Sequence, residues 1–161
     1  MLHLRPYKPR DAEKIVSWCQ NEAVFHKWGG DHFGTYPITA ETMNAVYFEQ
    51  NGNCTEPDNF YPMTAFDESG ICGHFIMRYL HGDPHVIRFG WVIVAPEHRG
   101  KGYGKEMLSL GIQFAREIYH AQKLSIGVFA DNTPAHRCYV SLGFKEIETA
   151  DNIIEMEMQF S

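Results

Sequence analysis

An α+β fold, with a mixed, mostly antiparallel central sheet flanked by helices on both faces, follows from three observations on the 161 residues. Three β-rich stretches follow one another across the middle of the chain, separated by short turn sequences, which is the pattern of antiparallel hairpins. From Gly102 the apolar residues recur at helical spacing instead. The remainder returns to strand, short helix and a closing hairpin. The length fits one domain over residues 1–161, large enough to bury a core without covalent staples.

The elements follow in order. Residues 2–7 read as a first strand, and Asp11 caps a helix over 12–22 whose Ile15, Val16, Trp18 and Cys19 form an apolar stripe. A loop rich in glycine and aromatic residues covers 25–36. Thr39 caps a second helix through about Gln50, with Met43, Val46 and Tyr47 inward, and residues 51–57 are turn-rich. Strands over 59–67 and 71–80 flank Glu68-Ser69-Gly70, and a turn at 81–84 leads into a strand over 86–94. The helix over 102–119 aligns Met107, Leu108, Gly111, Phe114, Ala115 and Ile118. After a strand over 124–130, Thr133 and Pro134 start a short helix that Gly143 ends. Strands over 144–149 and 153–160 close the chain. In the last, Ile154, Met156, Met158 and Phe160 alternate with Glu155, Glu157 and Gln159, so one face is wet.

Two segments carry chemistry. Residues 94–105 read Val-Ala-Pro-Glu-His-Arg-Gly-Lys-Gly-Tyr-Gly-Lys, a strand running through a glycine-rich turn into a helix. Gly100, Gly102 and Gly104 let the backbone turn sharply and point successive N–H groups at one anion. The helix start adds unpaired N–H groups and the positive end of its dipole, and Arg99, Lys101 and Lys105 add full charges. No Ser or Thr follows either lysine to hold magnesium, and the glycine spacing is one residue short of a dinucleotide fingerprint. The second segment, residues 132–144, places Ala135 and Tyr139 four apart, hence on one helix face.

The first segment has the form Arg-x-x-Gly-x-Gly, and the second Asn-x-x-Ala-x-x-x-Tyr-x-x-x-Gly-Phe, filled by Asn132, Ala135, Tyr139, Gly143 and Phe144. In this order the two resemble the acetyl-CoA motifs of the GNAT superfamily of N-acetyltransferases, and the order of elements matches the GNAT fold over nearly the whole chain. The resemblance implies acetyl-CoA as cosubstrate, its pantetheine lying in a V-shaped opening between strands 86–94 and 124–130. Backbone groups of Val92, Ile93 and Val94 then bind the pantetheine amides and the thioester carbonyl. Arg99, Gly100, Lys101, Gly102, Tyr103, Gly104 and Lys105 hold the pyrophosphate, and Asn132 contacts the cofactor. Tyr139, protonated at neutral pH, gives a proton to the departing thiolate.

An alkyl amine acceptor, with a pKa of about 10.4, must lose a proton before attack. Where many relatives carry a glutamate base, this chain has Arg88 or Gly127. His74, His85, Glu41 and Asp131 are other candidates, each with a structural reading beside it. Arg88 alternates with Gly90 and Val92 onto one strand face, there to grip an acceptor's carboxylate or to pair with a nearby acid. The acceptor side is expected from residues 25–36, the helix after Thr39 and the last hairpin. Trp28, His32, Phe33, Tyr36, Tyr47, Phe60 and Tyr61 there either enclose an amine or pack the core.

A net charge of −6 and a pI near 5.8 argue against nucleic acid as partner. Composition and the absence of a long apolar run point to a cytoplasmic protein without membrane contact. Cys19, Cys54, Cys72 and Cys138 suggest neither zinc nor disulfides, and the histidines show no ligand spacing, so no metal is expected. The function expected is acetyl transfer to a primary amine of a small molecule or a protein N-terminus, in a ternary complex. A noncatalytic acyl-CoA binding or sensing module is the alternative, and a nucleotide-dependent enzyme stands third. The exposed last strand leaves monomer or homodimer open.

Overall fold

The computed structural model describes residues 1–52 and 59–160. Cys54 and most of the turn expected over 51–57 lie outside them. The strands are β1 (His3–Pro6), β2 (Tyr61–Asp67), β3 (Gly70–Leu80), β4 (Asp83–Val94), β5 (Lys123–Phe129), β6 (Lys145–Ala150) and β7 (Ile153–Gln159). They form one sheet in the order β1-β2-β3-β4-β5-β7-β6. The β4–β5 pair is parallel and the others are antiparallel. A parallel neighbour needs a crossover. Helix α5 (Tyr103–Glu117) supplies it, and α6 (Thr133–Leu142) lies between β5 and β6.

Both faces of the sheet are covered, each for a reason visible in the side chains. On one, Met107, Leu108 and Ala115 of α5 pack against Phe75, Ile87 and Phe89. Gly111 lets α5 approach closely, since a Cβ there would meet the Phe75 ring at 2.8 Å. Ile118, expected in this stripe, is exposed at the helix end. On the other face Ile15, Phe25, Trp28, Met43 and Tyr47 pack with Ile76, Trp91 and Ile93.

The N-terminal helices depart from the periodicity reading. The helix expected over 12–22 stops early as α1 (Ala12–Ser17), and Asn21 starts a new one, α2 (Glu22–Trp28), by accepting a hydrogen bond from the Val24 N–H at 3.0 Å. Together with α3 (Gly30–Phe33), α2 takes up much of the segment expected to be loop. Asn21 lies within the helix expected from the sequence, just past its apolar stripe at Ile15, Val16, Trp18 and Cys19. Thr39 does cap α4 (Ala40–Gly52), its hydroxyl taking the Thr42 N–H at 3.1 Å.

Two further expectations change. The α6 N-cap is Asn132 rather than Thr133, with Gly143 ending the helix at φ 109°. The last strand is not an edge, because β7 lies between β5 and β6. The sheet's edges are β1 and β6, so a dimer built at the C-terminal end of the sheet would have to use β6 instead.

Candidate active site

The site begins with a fault in β4. Its register with β3 slips between His74↔Ile93 and Ile76↔Gly90, leaving two β4 residues opposite Phe75. Trp91 sits there at φ 50°, a conformation that a bulky side chain rarely takes. Trp28 of α2 fixes this bulge, donating its indole N–H to the Trp91 carbonyl at 2.9 Å. The bulge exchanges the faces of the strand. Ile87 and Phe89 belong to the α5 core, whereas Trp91 and Ile93 belong to the opposite one. Val92 therefore packs toward α5, not on the face of Arg88 and Gly90 as strict alternation predicts.

Beyond the bulge β4 leaves β5. Their parallel pairing runs from Val86↔Lys123 to Phe89↔Ile126 and ends there. The two strands then border a cleft of about 1200 Å³, lined by residues 90–94 from β4 and by Ile126, Gly127, Val128 and Phe129 from β5. Pockets for one small ligand usually span about 300–1000 Å³, so two substrates fit side by side. The unpaired strand borders offer backbone groups to an extended molecule lying between them.

One end of the cleft is the loop before α5. Gly100 and Gly102 have φ values of 76° and 84°, and a Cβ on either would meet nothing within 4 Å. Their requirement is backbone conformation, and the space above them is open. Gly102 is the N-cap of α5, so the first N–H groups of a 15-residue helix emerge here. Arg99 has a different task from the one its charge suggests. Its guanidinium donates to the carbonyls of Val94 at 2.9 Å and Trp18 at 3.1 Å, fastening the loop to β4 and α1. Tyr103 turns its phenol to Asp67 at 3.2 Å and stacks on His98. Gly104 and Lys105 line the cleft, and Lys101 lies outside the lining.

Helix α6 forms the opposite wall with Asn132, Ala135, Arg137, Cys138 and Tyr139. Tyr139 is 6% exposed, and burial, reinforced by the neighbouring Cys138, pushes its phenol well above the ordinary tyrosine range. Arg137 was not anticipated. It sits on the helix turn between Ala135 and Tyr139, where the same periodicity could have found it.

At the other end the cleft is lined by Lys27, Trp28 and His32 from the N-terminal helices and by Ile76 and Arg78 of β3. Helix α4 contributes no lining residue among those described, and the last hairpin contributes Ile153. Phe33, Tyr47 and Phe60 are core residues behind this wall, and Tyr61 lies in the opposite core against Tyr119. Trp91 joins the wall because of the bulge.

None of the suggested bases gathers at the strand gap. His74 is fully buried, bonded to the Tyr47 hydroxyl at 2.6 Å, and burial lowers its pKa to about 3. His85, Glu41 and Asp131 are exposed outside the lining. Arg88 is paired: its guanidinium meets both Glu155 oxygens, at 2.7 and 3.1 Å, and the Ser125 hydroxyl at 2.8 Å. Gly127 makes room for this pair, since a Cβ there would lie 2.7 Å from Arg88 Nη2. Among the described residues no group of three His, Cys, Asp or Glu could hold a metal ion, and no helix is long and apolar enough to cross a membrane.

A sheet splayed beside a bulge, with a glycine loop and helix N-terminus at the mouth of the gap, suits an extended ligand that carries a phosphate. The comparisons agree. Residues 1–145 match the model of the acetyltransferase (GNAT) domain. The chain belongs to that family and is, by that membership, an acetyl-CoA-dependent N-acetyltransferase. A UPF0039 protein of Schizosaccharomyces pombe is 26% identical over 139 residues, spanning 77% of this chain and 85% of that protein. An N-acetyltransferase 9-like protein of Caenorhabditis elegans is 24% identical over 160 residues, spanning 89% and 75%. The solved structure of spermidine N-acetyltransferase from Vibrio cholerae, in complex with CoA and spermine, superimposes with a TM-score of 0.79. It covers 98% of this chain and 95% of its own at 18% identity, a likeness of fold.

Proposed function

We propose that the protein transfers the acetyl group of acetyl-CoA directly to a primary amine in a ternary complex. The observation that carries this reading is the end of β4–β5 pairing at Phe89↔Ile126, which opens the gap between a helix N-terminus and Tyr139. Pantetheine occupies the gap like an added strand, held by backbone groups of Val92, Ile93 and Val94. Val94's carbonyl is already taken by Arg99, so its N–H is the group left to offer. The pyrophosphate lies on the N–H groups of residues 100–105, with Lys105 and Arg137 as counter-charges and Asn132 beside it. Lys101 adds charge from outside, and Arg99 acts by holding the loop in shape.

The amine nitrogen attacks the thioester carbonyl, forming the C–N bond, and backbone N–H groups of β4 steady the oxyanion. The C–S bond then breaks, the electron pair leaves on sulfur, and Tyr139 supplies the proton. The amine's own protons pass to water in the open cleft, since neither Arg88 nor Gly127 can take them. The acceptor enters from the side of α2 and β3. Spermine, the polyamine bound in the Vibrio cholerae neighbour, is a polycation, and the wall here carries Lys27 and Arg78.

Initial rates of CoA release, with acetyl-CoA and an amine varied together, test the order of events. Intersecting double-reciprocal lines are expected of direct attack. Parallel lines would reveal an acetylated enzyme and overturn the direct route. A chain that binds acetyl-CoA but releases no CoA with any amine would be a binding module.

A further inference from the structure

The protein has a formal net charge of −6, yet no Asp or Glu stands among the described residues that line the cleft. The lining draws instead on Lys27, Arg78, Arg88, Arg99, Lys105 and Arg137. The last three lie at the loop and on α6, where the phosphates are proposed to bind. Lys27, Arg78 and Arg88 lie toward the acceptor.

Arg78 and Arg88 are direct cross-strand partners, so two cations stand side by side on one face of the sheet. Such a pair is destabilising unless each charge is met. Arg88 is met by Glu155 and Ser125. Arg78 has no carboxylate and no hydrogen-bond acceptor among the described residues. Its guanidinium lies 6.0 Å from the centroid of the Phe60 ring and 5.8 Å from that of Trp91. Those rings cover apolar faces of the guanidinium and leave its N–H edge without an acceptor. Burial, and after it the charge of Arg88, also lowers the pKa of Arg78, a sign that its charge lacks local compensation. An anion arriving in the cleft would supply it.

We infer that the acceptor is a small amino acid, a molecule with both a primary amine and a carboxylate, and that Arg78 receives the carboxylate as a two-pronged partner. This rests on the acyl-transfer reading above. With the Phe60 and Trp91 rings beside it, the guanidinium offers its paired N–H groups to a planar carboxylate. The carboxylate takes no part in bond exchange. Held at the β3 wall, it fixes the molecule so that the amine can reach the thioester, and it brings a negative charge that a wall of cations attracts. A polyamine meets the reverse condition.

The test compares matched acceptors: L-phenylalanine, L-methionine, L-glutamate and β-alanine, each against its carboxamide, with spermidine as the cationic reference. Acetyl-CoA binding is measured on the same preparation. The acids are expected to exceed their amides in kcat/KM by about ten- to a hundredfold, the worth of a charge-assisted hydrogen bond. Arg78→Gln should collapse that ratio, and its acetyl-CoA titration reports whether the cleft is intact. Amides or spermidine turned over as well as the acids, or no acid turned over at all, would overturn the inference, as would an unchanged ratio in a folded Arg78→Gln protein. If acetyl-CoA binds and the amides prevail, only the acceptor class falls. If acetyl-CoA does not bind, the transfer reading falls and takes the acceptor class with it.

Discussion

Tyr139→Phe lowers kcat by about a hundred- to ten-thousandfold while acetyl-CoA affinity changes little. The substitution removes one oxygen and keeps the ring that packs edge-on to Phe144, so α6 and the cleft wall stay in place. On the proposed mechanism, what is lost is the proton for the departing sulfur. Burial keeps the phenol protonated throughout the neutral range, so Tyr139 is always a donor. The same low-dielectric surroundings make an unprotonated thiolate costly, and they raise the neighbouring Cys138 thiol too. Measuring kcat alongside a calorimetric Kd separates this role from packing. Equal turnover in the two proteins would make Tyr139 a core residue.

Asp11→Ala costs about 3–5 kcal/mol of folding stability, the range for breaking a buried pair by removing one partner. Asp11 is 3% exposed and accepts four hydrogen bonds from three residues. Arg5 donates to both its oxygens at 2.8 Å, the Lys8 N–H at 2.9 Å and the Thr64 hydroxyl at 3.1 Å. This ties β1, the start of α1 and β2 together. Removing the carboxylate leaves the Thr64 hydroxyl and the Arg5 charge without it.

The pH dependence has a definite sign. Burial alone would raise the Asp11 pKa, but the bonds from Arg5, Lys8 and Thr64 outweigh it and lower the value. A depressed carboxylate contributes stability above its unfolded pKa of about 3.9, and that contribution is lost as pH falls through the folded value. The gap in urea midpoint between the native and Asp11→Ala proteins should therefore stay constant from pH 7 to about pH 4 and narrow as pH falls further. A gap that did not narrow there would contradict the assignment.

Most of the fold was legible because its signals are local. Strands β2 to β4 have turn residues between them, and Gly102 and Gly143 mark helix ends. The break between α1 and α2 was hidden because Asn21 falls at the tail of the expected helix, beyond its apolar stripe, and only the hydrogen bond from Val24 shows that its side chain starts a new helix. The glycine-loop end of the cleft and its α6 wall were readable from the glycines and from the Ala135–Tyr139 spacing. The opposite end was not. A bulge at Trp91 reverses side-chain alternation, and nothing in the local pattern announces it. The long-range pair of Arg88 with Glu155 joins residues 67 apart. Arg78 went unremarked because its meaning depends on a partner across the strand and on the absence of a carboxylate partner among the described residues.

Calorimetric titration of the protein with acetyl-CoA, beside CoA, ATP and NADH, tests the central claim most directly. The cleft as described predicts micromolar binding of the two CoA compounds and none of comparable strength for ATP or NADH. Preference for ATP or NADH, or no heat with acetyl-CoA, would contradict it.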